Sequence, residues 1–170
     1  MKISILLPFK ENYSPLYAGA VSLFVNESTS ISKFKKNITI YGNTNFKSKF
    51  SNYYNLKIND NKFSSKNYSY VKNFTKLNSV KNSDLIEIHN RPSYLKYILE
   101  EEINTNFAMY FHNDPLNIRG SQSIKERLFI LKKCSYIIFI SDWLRKQFLK
   151  GINSNKYIHK IKIIPHSAKK

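Results

Sequence analysis

The stretch DLIEIHNRPSYLKYILEEEINTNFAMYFHNDP, residues 84–115, determines the fold. Its two apolar runs, residues 85–89 and 107–111, have the length and composition of buried strands. Between them, Pro92 stands where the first turn of a helix tolerates proline, and the segment predicts a helix to about Ile103. Two buried strands joined by a helix are typical of a parallel sheet that is covered on both faces.

The same alternation extends along the whole chain. Apolar runs predict further strands at residues 3–7, 37–41, 54–58, 136–140 and 161–164. Helical spacing or capping signals predict helices over residues 18–31, 66–80 and 123–133, and from the N-cap Ser141 to Gly151. The sequence therefore predicts an α/β fold with a doubly wound, Rossmann-like parallel sheet.

Composition limits the class of protein. The 170 residues carry 28 Lys+Arg against 11 Asp+Glu, a formal charge of +17, which favours anionic partners. Only four of the cations are arginine, the residue on which nucleic-acid readout usually depends. A lysine-rich bias is also what A+T-rich codon usage produces, and we favour that explanation over nucleic-acid binding.

Several common sites are missing from the sequence. A single cysteine, Cys134, excludes a disulfide framework and a cysteine-built zinc site, and its position between a helix and a strand predicts a buried, inert thiol. The chain contains no P-loop, no Gly-x-Gly-x-x-Gly, no Gly-x-Ser-x-Gly and no Asp-x-Asp. No apolar run approaches the roughly 20 residues of a membrane span. We expect a cytoplasmic protein that needs neither cofactor nor metal.

Polar residues gather where the predicted strands end. These groups are Lys10-Glu11-Asn12, His89-Asn90-Arg91, His112-Asn113-Asp114, Ser141-Asp142 and His166. Because doubly wound sheets bind ligands beyond the carboxyl ends of their strands, this edge is the predicted site. His112 is the strongest candidate, as an imidazole that bonds a substrate hydroxyl or moves a proton. For His89 and Arg119, functional and purely structural roles are equally supported.

Five segments, taken together and in this order, resemble the N-terminal domain of glycosyltransferase family 4, which has the two-domain GT-B fold. They are residues 14–21 (SPLYAGAV), 84–92 (DLIEIHNRP), 111–116 (FHNDPL) with Arg119-Gly120 and Glu126-Arg127, 138–145 (IFISDWLR) with Phe148, and 163–167 (IIPHS). Where the family usually has histidine, histidine and asparagine, the chain has Glu87, Tyr110 and His166.

The resemblance implies a metal-independent, retaining transferase that moves a sugar from a nucleotide-sugar donor to a glycan or a lipid-linked acceptor. Gly19 and Ala20 would lie against the donor diphosphate, and His112 would be the catalytic residue beside the transferred sugar. The acceptor side would include His89, Asn90, Arg91, Asn113, Asp114 and Arg119. Residues 1–165 would form the domain, and residues 166–170 would begin the crossover to a C-terminal donor-binding domain. A separate chain could also supply that second domain, without which the first would be inactive.

Residues 46–76 combine seven lysines with eight aromatic residues and one acid, Asp60. Such a stretch can dock on an anionic membrane, here the inner face. The alternative is that the aromatic residues belong to the core and the lysines face solvent. A different class of function, a non-catalytic basic module that binds RNA or another polyanion, also stays open, although no RNA-binding signature is present.

Overall fold

The computed structural model describes residues 1–58 and 65–166. Seven parallel strands form one sheet in the order β3-β2-β1-β4-β5-β6-β7. The strands are β1 (Ile3–Leu6), β2 (Ile38–Gly42), β3 (Tyr53–Asn55), β4 (Leu85–His89), β5 (Asn106–Phe111), β6 (Tyr136–Phe139) and β7 (Ile161–Ile163). The doubly wound α/β fold predicted from the sequence is confirmed.

Helices connect these strands, except for β2 and β3, which residues 43–52 join without a helix. The helices are α1 (Ala20–Ile31), α2 (Lys66–Thr75), α3 (Asn78–Lys81), α4 (Ser93–Leu99), α5 (Ile124–Lys133) and α6 (Asp142–Leu149). Short 3₁₀ helices cover Lys35–Asn37, Pro115–Asn117 and Asn155–Lys160. In the described ranges, no helix has the length and apolarity needed to cross a membrane.

The two faces of the sheet carry separate cores. On one face, Phe24 and Val25 of α1 belong to a core cluster with Ile5 of β1 and Ile40 of β2. The larger core lies on the other face, where α2 to α6 contribute buried side chains that include Phe74, Leu95, Leu131 and Phe148. Strand order reverses between β1 and β4, so the crevice beyond their carboxyl ends is the place where this topology forms a ligand site.

Two predicted helices are shorter in the structure. The helix expected over residues 66–80 is divided, because Leu77 adopts an extended conformation (φ −75°, ψ 129°) between α2 and α3. The helix expected to reach Ile103 ends at Leu99, and Glu102 has a left-handed φ of 54°. Three consecutive glutamates follow Leu99, and their charge is unfavourable at the negative end of a helix.

Two side chains on the α5–α6 side of the sheet have contrasting environments. Cys134, which follows α5, is 1% exposed, and burial raises its thiol pKa to about 12, so the inert buried thiol is confirmed. Trp143 of α6 is 55% exposed.

Arg127 joins α5 to the end of α6. Its guanidinium is buried, and Nη1 donates to the carbonyl oxygens of Phe148 (2.5 Å) and Lys150 (2.8 Å). Both carbonyls lie at the C-terminus of α6, where a helix leaves backbone acceptors unpaired and favours a cation. Arg127 is therefore a structural cation, whose charge is not available to a ligand.

Replacing Arg127 by methionine should lower the free energy of unfolding by about 2 kcal/mol, because the buried carbonyl of Phe148 and the part-buried carbonyl of Lys150 lose a charged donor. Arg119→Met is the matched control, since Arg119 is exposed and makes no hydrogen bond within the described residues. The control should stay within about 0.5 kcal/mol of the unmodified protein. Urea denaturation followed by circular dichroism measures both, and equal losses would contradict the anchoring role.

Candidate functional site at the carboxyl edge of the sheet

Asn90 organises the loops that follow β4 and β5. It is buried and has a left-handed φ of 53°, a conformation that asparagine tolerates better than most residues. Its Oδ1 accepts from the backbone N–H groups of His112 (2.8 Å) and Asn113 (3.3 Å), and its Nδ2 donates to Asn113 Oδ1 (3.0 Å). The predicted residues Asn90, His112 and Asn113 are thus one hydrogen-bonded unit.

Three histidines, here called the histidine row, form a chain of ring contacts across the same edge. Nδ1 of His89 lies 3.0 Å from Nε2 of His112, and Nδ1 of His112 lies 3.0 Å from Nε2 of His166. His89 stacks on Tyr110, with 4.4 Å between ring centroids. Phe24 of α1 packs against the other two histidines, at 5.0 Å from His112 and 4.6 Å from His166. The row therefore links the ends of β4, β5 and β7 to the helix that follows β1.

Burial keeps the two inner rings of the row neutral. Desolvation, with a smaller contribution from His166, lowers the pKa of His89 to about 3. Desolvation and the neighbouring histidines lower the pKa of His112 to about 2. Because each ring contact joins two nitrogens, one nitrogen of each pair must carry the proton and the other must accept it. The tautomer of one ring therefore determines which nitrogen donates in the next, and no ring needs to be charged.

Glu87 stands at the inner end of the row. Its Oε2 lies 3.7 Å from Nε2 of His89, which is buried and has no hydrogen-bond partner within the described residues. Burial raises the pKa of Glu87 to about 7. Glu87 was not among the predicted site residues, although the alternation of side chains along a strand places it on the same face of β4 as His89.

His112 and His89 differ in what they can reach. His89 is 1% exposed, so it affects a ligand only by orienting His112. His112 is part-exposed, but both of its ring nitrogens are already bonded within the row. A ligand that hydrogen-bonds His112 must therefore take the place of His166, which is exposed and lies beyond the last strand.

The N-terminus of α1 holds a carboxylate from the same chain. Oε1 of Glu11 accepts from the backbone N–H of Ser22 (3.2 Å), in the first turn of the helix. A Cβ on Gly19 would collide with this carboxylate, so the absence of a side chain at Gly19 is what lets Glu11 approach. The sequence predicts that Gly19 and Ala20 lie against a donor diphosphate at this helix start, and it contains no signal that Glu11 lies there.

The other predicted acceptor-side residues make mostly internal contacts. Asp114 caps a 3₁₀ helix, accepting from the Leu116 N–H (3.0 Å) and from Asn117 Nδ2 (2.9 Å). Nη1 of Arg91 donates to the carbonyl oxygen of Asn90 (2.8 Å). Arg119 lies apart from the histidine row, at a separate cavity next to α4.

The described residues contain no group of three His, Cys, Asp or Glu side chains arranged to hold a metal ion. The histidine row does not alter this, because its ring nitrogens bond to one another and do not converge on one point.

The described aromatic residues of the stretch 46–76 lie mostly in or against the core, whereas most of its described lysines are exposed. Tyr70 and Phe74 are fully buried, and Phe50 and Tyr53 pack against the buried ring of Tyr13. Phe46 stacks on Tyr17 with 4.6 Å between ring centroids, and Tyr54 is 48% exposed. Asp60, Lys62 and Phe63 of the same stretch lie outside the described residues. This geometry agrees with the alternative in which most of these aromatic residues belong to the core.

The chain matches no protein-family model, and no curated protein is significantly similar to it.

Lowering the pH below about 6.5 should destabilise the protein. The unfolded chain takes up protons at His89 and His112 near their ordinary pKa of 6.5, whereas the folded chain keeps both rings neutral. Each ring then removes up to about 1.4 kcal/mol of stability per pH unit as the pH falls. Glu87 opposes this between pH 7 and 4.5, because its raised pKa keeps a proton in the folded state.

Urea denaturation at pH 7, 6 and 5 measures the slope. His112→Gln should make stability less dependent on pH, because one of the rings whose pKa the fold lowers is gone. The control is His159→Gln, since His159 is exposed and lies outside the histidine row. An identical slope in the unmodified protein and in His112→Gln would show that His112 is not held neutral by the fold.

Proposed function

We propose that the chain is the acceptor-side half of a retaining glycosyltransferase that moves a sugar from a nucleotide-sugar donor to a glycan or a lipid-linked acceptor. One observation carries the proposal: Asn90 and the histidine row lie together at the reversal point of a doubly wound sheet, next to the first turn of α1. Ligands of such sheets bind at this reversal point. The five sequence segments that resemble glycosyltransferase family 4 include the same residues.

The chemistry of the edge suits this reaction. A departing nucleoside diphosphate gains negative charge as the bond to the sugar breaks, and backbone N–H groups at a helix start stabilise such charge. Once a ligand takes the place of His166, Nδ1 of the neutral His112 is able to donate or accept a hydrogen bond with a sugar hydroxyl. A neutral ring also does not place a cation beside the electron-poor anomeric carbon. Orientation by His89 and Asn90 fixes the ring before the ligand arrives.

The distribution of arginines supports a small anionic substrate more than a long polyanion. Arg127 is buried on backbone carbonyls, Arg145 is paired with Asp142, and Arg91 is bonded to the Asn90 carbonyl. Three of the four arginines thus have partners within the protein. Direct readout of nucleic-acid bases relies chiefly on free arginine forks, so the RNA-binding alternative has little to draw on.

The resemblance assigns most of the nucleotide pocket to a second, C-terminal domain, in the same protein or in a partner chain. In this proposal the described domain contributes the acceptor side, the diphosphate contact at Gly19 and Ala20, and the hydrogen bond from His112. Efficient transfer therefore requires both halves, whereas weak binding of the donor diphosphate requires only this one.

The test is a titration of the ¹⁵N-labelled chain with UDP-, GDP-, ADP- and dTDP-hexoses, followed by amide chemical shifts. At least one donor should shift the signals of Ala20, Val21 and Ser22 together with that of His112, while the corresponding nucleoside without phosphates should not. A spectrum that none of the four donors changes at these positions would overturn the proposal.

Glu11→Gln should strengthen binding of that donor by about fivefold. The diphosphate must displace the Glu11 carboxylate from the N–H of Ser22, and loss of one such bond corresponds to about 1 kcal/mol. Glu100→Gln removes the same charge from an exposed position at the end of α4 and is the matched control. Tighter binding in both variants would reflect net charge alone, and weaker binding in Glu11→Gln would mean that Glu11 contacts the donor directly.

A further inference from the structure

A cavity lies away from the histidine row, between α4 and the start of α5. It encloses about 500 Å³ and is called here the cationic cavity. The side chains that give it its character are Lys96, Tyr97, Arg119, Lys125, Glu126 and Phe129. Its volume is within the range that small-molecule sites in proteins occupy, about 300–1,000 Å³.

The charges around this cavity are unbalanced. Lys96, Arg119 and Lys125 are exposed, and none of them pairs with a carboxylate in the described part of the chain. Glu126, the one acid of the lining, is already engaged: its Oε2 accepts from the backbone N–H (2.9 Å) and the hydroxyl (3.0 Å) of Ser123 in a capping box. The hydrogen bond from the Ser123 backbone lowers the pKa of Glu126. Three cations are therefore left to meet an anion from outside.

The cavity is distinguished by the grouping of its cations and not by their lack of partners. Lys72 pairs with Glu101, and Lys146 lies 3.0 Å from Asp142, but other exposed lysines of the described ranges, such as Lys81, also lack a carboxylate partner. What is particular to the cavity is that three such cations line one concave surface. Opposite charge brought to such a group of cations gains charge-assisted hydrogen bonds, and the arginine is able to bind an oxyanion through two N–H groups at once.

The walls include two aromatic rings. Tyr97 is held in an edge-to-face contact with Tyr68, with 5.2 Å between ring centroids and 90° between ring planes. Phe129 is 36% exposed on α5. Aromatic faces next to hydrogen-bonding groups suit the C–H face of a sugar ring, whereas a bare inorganic anion would gain nothing from them.

The backbone of the cavity is formed in advance. Gly120 has a φ of 96°, and a Cβ at this position would lie 2.6 Å from the backbone nitrogen of Ser93, so the loop after β5 packs directly on the start of α4. Ser121 closes the same loop by donating to the carbonyl oxygen of Pro115 (2.6 Å). A ligand therefore meets a shaped surface and does not have to order the loop first.

We propose that the cationic cavity binds a sugar that carries a phosphate or a carboxylate, and hence that the acceptor is an anionic glycan. The oxyanion lies among Lys96, Arg119 and Lys125, and the sugar ring packs on Tyr97 and Phe129. That this ligand is the acceptor of a sugar transfer rests on the proposed function, whereas binding of an anionic sugar in the cavity does not.

The experiment titrates the ¹⁵N-labelled chain with glucose 6-phosphate, glucuronate, glucose and inorganic phosphate at constant ionic strength. Glucose 6-phosphate or glucuronate should shift the amides of Tyr97, Gly120 and Lys125 with a Kd at least tenfold lower than that of glucose. Inorganic phosphate should bind at least tenfold more weakly than the sugar phosphate. If inorganic phosphate binds equally well, the aromatic walls contribute nothing and the sugar is not recognised.

Two variants and a control locate the site. Arg119→Gln should raise the Kd of the anionic sugar about tenfold, and Phe129→Ala should raise it without changing the Kd of inorganic phosphate. Lys81→Gln, an exposed lysine of α3 that does not line the cavity, is the matched control and should change the Kd by less than twofold. An equal effect of Lys81→Gln and Arg119→Gln would mean diffuse attraction to a basic protein and would overturn the proposal.

The result is independent of the donor titration. Binding of an anionic sugar at the cavity without any donor binding near Ala20 would support the anionic-sugar site and overturn the proposed transferase function. Donor binding without binding of an anionic sugar at the cavity would support the transferase function and overturn the proposal of an anionic acceptor.

Discussion

The side-chain amide of Asn90 is the contact on which the candidate site depends. Asn90, in a left-handed conformation, turns the chain out of β4. Its side chain also accepts hydrogen bonds from two backbone N–H groups of the loop that follows β5. Two neighbouring strand ends are thereby held at a single spacing. His112 is the first residue of that loop, so the Asn90 amide determines where its ring lies. The contacts of that ring with His89 and His166 depend on the same bond. A side chain without both a donor and an acceptor could not make this set of bonds.

The fold could be predicted from the sequence because its signals are local. The buried strands are apolar runs, most of the connecting segments have helical spacing or helix caps, and the handedness of the crossovers then determines the sheet. The gathering of polar residues at one edge followed for the same reason, since strands that run in parallel end on the same side. Helix ends were predicted less well, because α4 stops where three glutamates meet its negative end and α2 stops at an extended Leu77.

The contacts inside the site were not predictable in this way, because they join residues that are distant in the sequence. His166 meets His112 only because β7 pairs with β6 and β6 with β5, which brings a segment 54 residues away over the end of β5. Glu11 occupies the start of α1 through a side chain that reaches across its own loop. A count of charged residues likewise does not show which charges are available to a ligand. Arg127 is bonded to buried helix carbonyls, whereas Arg119 lies at an open cavity.

The environment of Cys134 makes the native thiol unreactive toward thiol reagents in the folded chain. Only the thiolate attacks alkylating and disulfide reagents, and this sulfur is both shielded from solvent and held in its protonated form. A fluorophore or spin label attached through a cysteine introduced on α1 or α5 would consequently occupy one position only. Conversely, the rate at which the native thiol is modified reports how often the seam between α5 and β6 opens to water, with no foreign group in the protein.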